Sequence, residues 1–251
     1  MARVFIGTSG WHYAHWRERF YPHTLPTAAW LRYYATHLDS VEVNNSFYRL
    51  LDAAAVRNWR RQVPREFVFA VKGSRYLTHN KKLKDAALPL RRFFTPVRAF
   101  GRALGPVVFQ TPPAWRVNAP RLESFLRLLS KRRGRRRYSF EFRNESWHCE
   151  EVYALLRRFN AAFCIYELAG AATPYTVTAD FVYARLHGPS AQKYQGLYSA
   201  AALRRWAQRI EAWADVGLDV YLYFDNDQNA YAVDNAIALR SYLHPRLLRK
   251  R

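Results

Sequence analysis

Cysteine and methionine are scarce, with two cysteines and one methionine in 251 residues. Cys149 and Cys164 form no CxxC pair, which argues against a structural zinc site or a disulfide framework and leaves buried thiols as the expectation. Long hydrophobic runs are missing too. No stretch of about 18 apolar residues offers a membrane helix, and no charged start leads into an apolar segment, so a signal peptide is unsupported and a cytoplasmic location is expected. The glycine-rich dinucleotide loop is absent, because Gly7 and Gly10 do not make GxGxxG. No GxSxG surrounds Ser46 or Ser74, which removes the nucleophile elbow, and no HxxE, HxH or HExxH spacing marks a metal centre.

Negative charge is the last shortage. Asp plus Glu total 19 against 40 Lys plus Arg, a net charge of +21. Such a field attracts polyanions, so nucleic acid and phosphorylated molecules enter as partners. Yet 33 of the 40 cations are arginine and they are spread along the chain, which a compositional drift would also produce. The one dense run, Lys131 to Arg137, falls between a helix and a strand and is expected to be an exposed loop whose neutralisation leaves folding intact.

What is present is a repeating order of strand and helix. Half of the residues are hydrophobic and 16% aromatic, enough for a large core in one domain over residues 1–251. Strand runs stand at Arg3 to Gly7, Asp39 to Asn44, Phe67 to Val71, Val107 to Phe109, Tyr138 onward, Ala162 to Tyr166, Phe181 to Leu186 and Val220 to Phe224. Between them lie amphipathic runs such as Leu122, Phe125, Leu126 and Leu129, with Asp52, Asn118 and Ser199 as N-caps. Ser74 to Pro89 lacks this periodicity and is expected to be a long basic loop. Leu168 to Asp180 has no helical pattern either. Eight strand runs and about seven helices predict an α/β fold, a single (β/α)8 TIM-like barrel of parallel strands with its sixth helix degraded. A doubly wound open sheet is the alternative.

In such barrels the site lies at the C-terminal ends of the strands, and there this chain is polar. The ends carry Thr8 and Ser9, Glu42 and Asn44, Lys72, Gln110, Glu141 and Arg143, Glu167, Arg185 and His187, and Asp225 and Asn226. Side chains two apart on a strand share a face, so Ser139, Glu141 and Arg143 point one way, while Phe140 and Phe142 point toward the helices. Arg143 with Glu42 or Glu141 is the expected salt bridge. Three chemistries fit these residues. Glu42 and Glu141 can work as acid and base. Glu42, Glu141, His187 and Asp225 can hold a divalent metal. Lys72, Arg143 and Arg185 can clamp an anion, with Lys72 as a Schiff-base nucleophile; this third reading is preferred. Trp11, Tyr13, Trp16, Phe20, Tyr21, Phe47 and Tyr48 lie on loops at the same end and either plug the mouth or stack ligand rings.

Several stretches together resemble one family nearly end to end: GTSGWHYAHW with FYP (Gly7 to Trp16, Phe20 to Pro22), VEVNNSFYRL (Val41 to Leu50), FVFAVKGSRYLTH (Phe67 to His79), QTPP (Gln110 to Pro113), FEFRNESW (Phe140 to Trp147), YARLHG (Tyr183 to Gly188), and YLYFDND with AYAVDNA. The chain is similar to the YecE-like family, domain of unknown function 72. The resemblance implies a TIM-barrel-like fold and no reaction. This sequence departs from the family pattern at Glu167, where Asp is usual, at Asp225, where Asn is usual, and near Glu18, where Gly is usual.

The expectation is an enzyme of hydrolase or isomerase type acting on a small polar or phosphorylated substrate. Glu42, Lys72, Glu141 and His187 are its candidate catalytic residues. Trp11, Asn44, Tyr48, Gln110, Arg143, Arg185, Tyr194, Asp225 and Asn226 are its candidate binding residues. No residue is assigned to a metal, and the sequence names no cofactor. The alternative is a nucleic-acid-binding protein or a metal-dependent barrel nuclease using the basic surface, with affinity that falls steeply with salt.

Overall fold

The computed structural model describes residues 2–132, 134 and 136–248. Two arginines of the basic run, Arg133 and Arg135, lie outside the described residues. The barrel strands are β1 (Val4–Thr8), β2 (Ser40–Val43), β3 (Val68–Lys72), β4 (Leu104–Thr111), β5 (Tyr138–Phe142), β6 (Ala162–Leu168), β8 (Phe181–Leu186) and β9 (Asp219–Phe224). Helices α1 (Trp30–Tyr34), α2 (Ala53–Gln62), α3 (Ala87–Val97), α4 (Ala119–Ser130), α5 (Glu150–Arg158), α6 (Ala200–Asp215) and α7 (Tyr231–Tyr242) follow them in turn. Where a sixth βα helix would stand, β6 instead turns back into β7, a two-residue antiparallel strand (Ala171–Ala172). The chain is a nearly closed parallel barrel of the TIM type, in the order β1-β9-β8-β6-β5-β4-β3-β2.

Alternation separates two apolar layers. Phe140 and Phe142 pack outward with Phe109, Phe125, Trp147 and Phe163 against the helices. Inside the barrel a smaller set fills the floor: Phe5, Ala70, Val108, Ala162, Cys164, Phe181, Tyr183, Tyr221 and Tyr223. Cys164 is buried in this inner layer as expected, whereas Cys149 is only half-buried. The expected N-caps hold: Asp52 accepts from the Ala54 and Ala55 N–H groups, Asn118 from Arg121, and Ser199 from Ala202.

Two loop expectations need correction. Within Ser74 to Pro89, residues Tyr76–Asn80 form a π-helical turn, because Leu77, Thr78 and Leu83 are buried and anchor the segment despite its three lysines and one arginine. The basic run is not simply exposed either. Arg137 donates to Asp219 at 2.6 Å and to the Tyr221 hydroxyl at 2.9 Å, and its guanidinium stands 5.0 Å from the Phe181 ring. It closes the N-terminal end of the barrel by packing as well as by charge, so neutralising it removes more than repulsion.

The seam between β1 and β2 is the place where the barrel is held without a regular ladder. Ser9 and Glu42 form an isolated parallel bridge, and the Gly10 N–H donates to the Glu42 carbonyl at 2.8 Å. The Tyr34 hydroxyl completes it, accepting from the Thr8 N–H at 3.0 Å and donating to the Ser40 carbonyl at 2.9 Å. Gly7 permits this approach, since a Cβ there would lie 2.1 Å from the Ser40 carbonyl oxygen. Tyr34→Phe is expected to cost about 1–3 kcal/mol, the penalty of orphaning buried backbone groups, in urea unfolding. An unchanged midpoint would show that the hydroxyl does not hold the seam.

Candidate active site at the barrel mouth

Inward positions that are apolar at the floor become charged toward the C-terminal ends of the strands. The centre of that layer is Arg185 on β8, which is fully buried. Its Nη2 donates to Glu42 Oε1 at 2.8 Å and Asp225 Oδ2 at 2.9 Å, and its Nη1 donates to Glu141 Oε2 at 2.7 Å. Its Nε reaches both Glu42 oxygens at 3.2 and 3.1 Å. One guanidinium therefore joins carboxylates from β2, β5 and the loop after β9. Ser9 Oγ donates to Glu42 Oε1 at 2.8 Å, and the Tyr183 hydroxyl donates to Glu42 Oε2 at 2.5 Å. Gln110 Nε2 donates to Glu141 Oε1 at 2.7 Å, and Arg143 Nε also reaches that oxygen. Buried carboxylates need this saturation, because each ion costs several kcal/mol to desolvate.

His187 sits in the same layer. Its Nε2 faces Arg143 Nη2 at 3.0 Å and Arg185 Nη1 at 3.4 Å. Guanidinium nitrogens only donate, so Nε2 accepts and Nδ1 carries the proton, which it donates to Asp225 Oδ2 at 2.9 Å. Burial pushes the carboxyl of Glu141 upward, but Arg143 and Arg185 outweigh it and hold the group well below its ordinary range. Asp225 follows the same balance: burial raises it, Arg185 and His187 lower it, and the outcome is about 2. The four residues weighed as metal ligands thus converge on a built-in cation, and no cluster of three or more His, Cys, Asp or Glu side chains suited to a metal ion occurs among the described residues.

Above the buried layer stands a second set. Lys72 is half-buried; in place of a carboxylate its ammonium stands 4.5 Å from the Phe47 ring centroid, and burial and Arg185 push its pKa down. His79 packs edge-on against Phe47 at 5.1 Å; burial, Lys72, Arg75 and Arg143 push its pKa down to about 4. Arg143 spreads over the Tyr166 ring at 4.9 Å, with 9% of its side chain exposed. Tyr194 leans edge-on to His187 at 5.4 Å and is partly open to solvent. This side of the mouth is electropositive.

The remaining candidates separate. Trp11, Asn44 and Tyr48 line a neighbouring cleft of about 880 Å³ with Trp59 and Gln62, where Tyr48 is 79% exposed. Of the loop aromatics, Trp16 and Tyr21 are buried packing, while Trp11 and Tyr48 line the cleft. Asn226 is turned away from the mouth, donating to the Gly196 carbonyl at 2.7 Å and Asn235 Oδ1 at 3.0 Å. Glu167 faces the helices and accepts from Trp206 Nε1 at 2.9 Å. Both follow an inward residue by one position, and alternation sends them to the other side. Tyr183, Tyr166 and His79 belong to the site and escaped notice, although Tyr183 lies two before Arg185 and parity alone would have found it.

A family described as "Protein of unknown function DUF72" matches residues 5–250. The chain belongs to the DUF72 family. The curated relative "UPF0759 protein YunF" of Bacillus subtilis is 24% identical over 265 residues, covering 92% of each chain. A solved DUF72 protein of Thermotoga maritima superposes with a TM-score of 0.85 at 24% identity, covering 95% of this chain and 98% of its own. Another from Enterococcus faecalis gives 0.81 at 15% identity, covering 96% and 95%. At these identities the DUF72 neighbours support the barrel and carry no reaction to this chain. No helix among the described residues is long and apolar enough to cross a membrane.

The hub predicts unequal costs for its two arginines. Arg185→Met leaves three carboxylates short of their shared cation and is expected to destabilise by at least about 3–5 kcal/mol in denaturant unfolding. Arg143→Met should cost less, since Glu141 keeps Gln110 and Arg185. Equal costs would mean that Arg185 is not the hub.

Proposed function

We propose that this DUF72 protein is an enzyme that binds a small anionic substrate, phosphorylated or carboxylated, at the barrel mouth and rearranges it by proton transfer through Lys72. The observation that carries this reading is the position of Lys72: a shielded amine with a lowered pKa, without a carboxylate partner among the described residues, beside Arg143 and above carboxylates already satisfied. A lysine of this kind holds a larger neutral fraction near neutral pH and serves as base or imine-forming nucleophile. Arg143, with its Nη2 on His187 and a small exposed edge, suits anchoring of the substrate's anionic group. Tyr194 packs edge-on to His187 beside Arg143, Gln110 shares Glu141 with Arg143, and the cleft with Trp11, Asn44 and Tyr48 offers room for the rest of the molecule.

The acid and base pair weighed for Glu42 and Glu141 has less support. Both are fully buried, and Glu141 is held ionised, which suits an electrostatic support and not a proton donor. Arg185 is likewise spent on its carboxylates, so the anion clamp narrows to Lys72 and Arg143. A metal-dependent nuclease finds its would-be ligands turned onto Arg185.

The pH behaviour of His79 reads the occupancy of this site. Its value is about 4 when folded against 6.5 for the unperturbed group, so between these values the unfolded chain binds more protons and stability falls as the pH drops. An anion beside Lys72 and Arg143 offsets the positive field and should raise the His79 midpoint, measured by proton NMR with and without phosphate or a phosphorylated sugar. Lys72→Met should abolish turnover of any substrate found in a phosphosugar and keto-acid screen while leaving the fold intact. A His79 midpoint unmoved by every anion, together with activity in Lys72→Met, would contradict the proposal.

A further inference from the structure

The cleft of about 880 Å³ between α1 and α2 has Trp11, Tyr48 and Trp59 in its lining and no acidic residue. It also gathers carboxamides. Three of their oxygens, Asn44 Oδ1, Asn45 Oδ1 and Gln62 Oε1, are buried and accept no hydrogen bond among the described residues. A buried acceptor left without a donor is destabilising, and such groups are rare enough in folded proteins that each calls for an explanation. Here they come from the end of β2, the turn after it and the end of α2, and they meet at one cleft. Amide oxygens only accept, so the molecule that satisfies them must bring several donors. Asn44 is already set for this, because its Nδ2 donates to the Ser9 carbonyl at 3.2 Å and leaves the oxygen uncommitted. The terminal torsions of Asn and Gln are broad, so small rotations bring these oxygens to a ligand.

The rings of the cleft are braced. Trp11 and Trp59 meet edge to face at 5.1 Å, and Trp59 stacks on Phe100 at 6.3 Å. Tyr48 packs edge-on against Phe47 at 5.0 Å yet remains 79% exposed. Fixed aromatic rings among hydrogen-bonding amides suit a ligand with an apolar face and a donor-rich rim. A sugar ring has both, in its C–H face and its hydroxyls, whereas a nucleobase offers few donors and several acceptors. Phe47 also connects this cleft with the mouth, since the Lys72 ammonium stands 4.5 Å from the same ring. We propose that the cleft binds a sugar ring, and that the anionic substrate of the mouth is accordingly a phosphorylated or carboxylated sugar. The ring site stands on the cleft alone; that ring and anion belong to one molecule rests on the function proposed for Lys72.

The test titrates the full chain, by saturation-transfer NMR, with glucose, ribose, the phosphomonoester of each, and adenine. Tyr48→Ala and Gln62→Met are compared with the unaltered protein and with Lys72→Met. Tyr48 is exposed and Gln62→Met removes an orphaned acceptor, so neither variant should unfold more easily than the parent; if Gln62→Met fails to fold, Tyr48→Ala carries the comparison. The expected result is that a sugar binds and that each cleft variant weakens it about tenfold, the worth of one hydrogen bond or aromatic contact. Lys72→Met should weaken the phosphosugar and spare the neutral sugar. A neutral sugar weakened by the cleft variants whose phosphomonoester binds no better supports the ring site and overturns the Lys72 reading instead. A phosphosugar weakened by Lys72→Met but indifferent to both cleft variants overturns the ring site and leaves the Lys72 reading standing. Binding of adenine with no sugar bound, or no sugar binding at all, also overturns it.

Discussion

Three carboxylates cannot be buried in a barrel without a cation among them, and in this chain that cation is Arg185. Glu42, Glu141 and Asp225 come from three separate segments, yet all reach one guanidinium. The remaining imbalance is met by nearby donors, with Ser9 and Tyr183 on Glu42, Gln110 and Arg143 on Glu141, and His187 on Asp225. Because the partners come from β1, β2, β4, β5, β8 and β9 or the residues just after them, the network also fixes how these elements stand relative to one another at the mouth. A buried ionic network of this kind adds little net stability compared with apolar packing, but removing one member is costly. The network presents Arg143 at a defined angle and leaves Lys72 as a shielded amine without a carboxylate partner among the described residues.

The two ends of the barrel solve the charge problem differently. At the floor, Phe5, Phe181 and Tyr221 fill the interior, and Asp219, shared by Arg3 and Arg137, closes it. At the mouth the inward side chains become polar, with Glu42, Lys72, Glu141 and Arg185 charged near the ends of β2, β3, β5 and β8. This gradient along the strands separates packing from chemistry, as expected for a barrel whose site is built from strand ends and the loops beyond them. The β1–β2 seam is the weak point of that arrangement, and the Tyr34 hydroxyl and Gly7 maintain it beside Ser9 and Glu42.

Much of this was legible in the sequence because alternation is strict while a strand lasts. The parity of Ser139, Glu141 and Arg143 placed their side chains inside, and the spacing of Arg185 and His187 placed both beside them. Parity also explains the errors: Glu167 and Asn226 each stand one position from an inward residue and turn to the outer packing. Beyond strand ends the rule loses force, which is why Tyr48 was grouped with the mouth although it lies on the rim of the next cleft. Composition misled at Arg137, whose place in a basic run concealed an aromatic and ionic anchor on distant β8 and β9. His79 had no periodic signal, since a buried π-helical turn built on Leu77 and Thr78 brings it to Lys72. The role of Arg185 as shared partner of three carboxylates depends on contacts between segments far apart in the chain, and no local pattern encodes it.

The central claim is that Arg185 keeps Glu141 and Asp225 ionised, so that they support the site and do not donate protons. Carbon-13 NMR of the side-chain carboxyls measures this directly. Titrated from neutral pH downward, Glu141 should remain ionised through the ordinary carboxylate range, and Asp225 should show its midpoint near about 2. A midpoint for either residue above its ordinary value would identify a proton-donating carboxyl in the mouth and contradict the account.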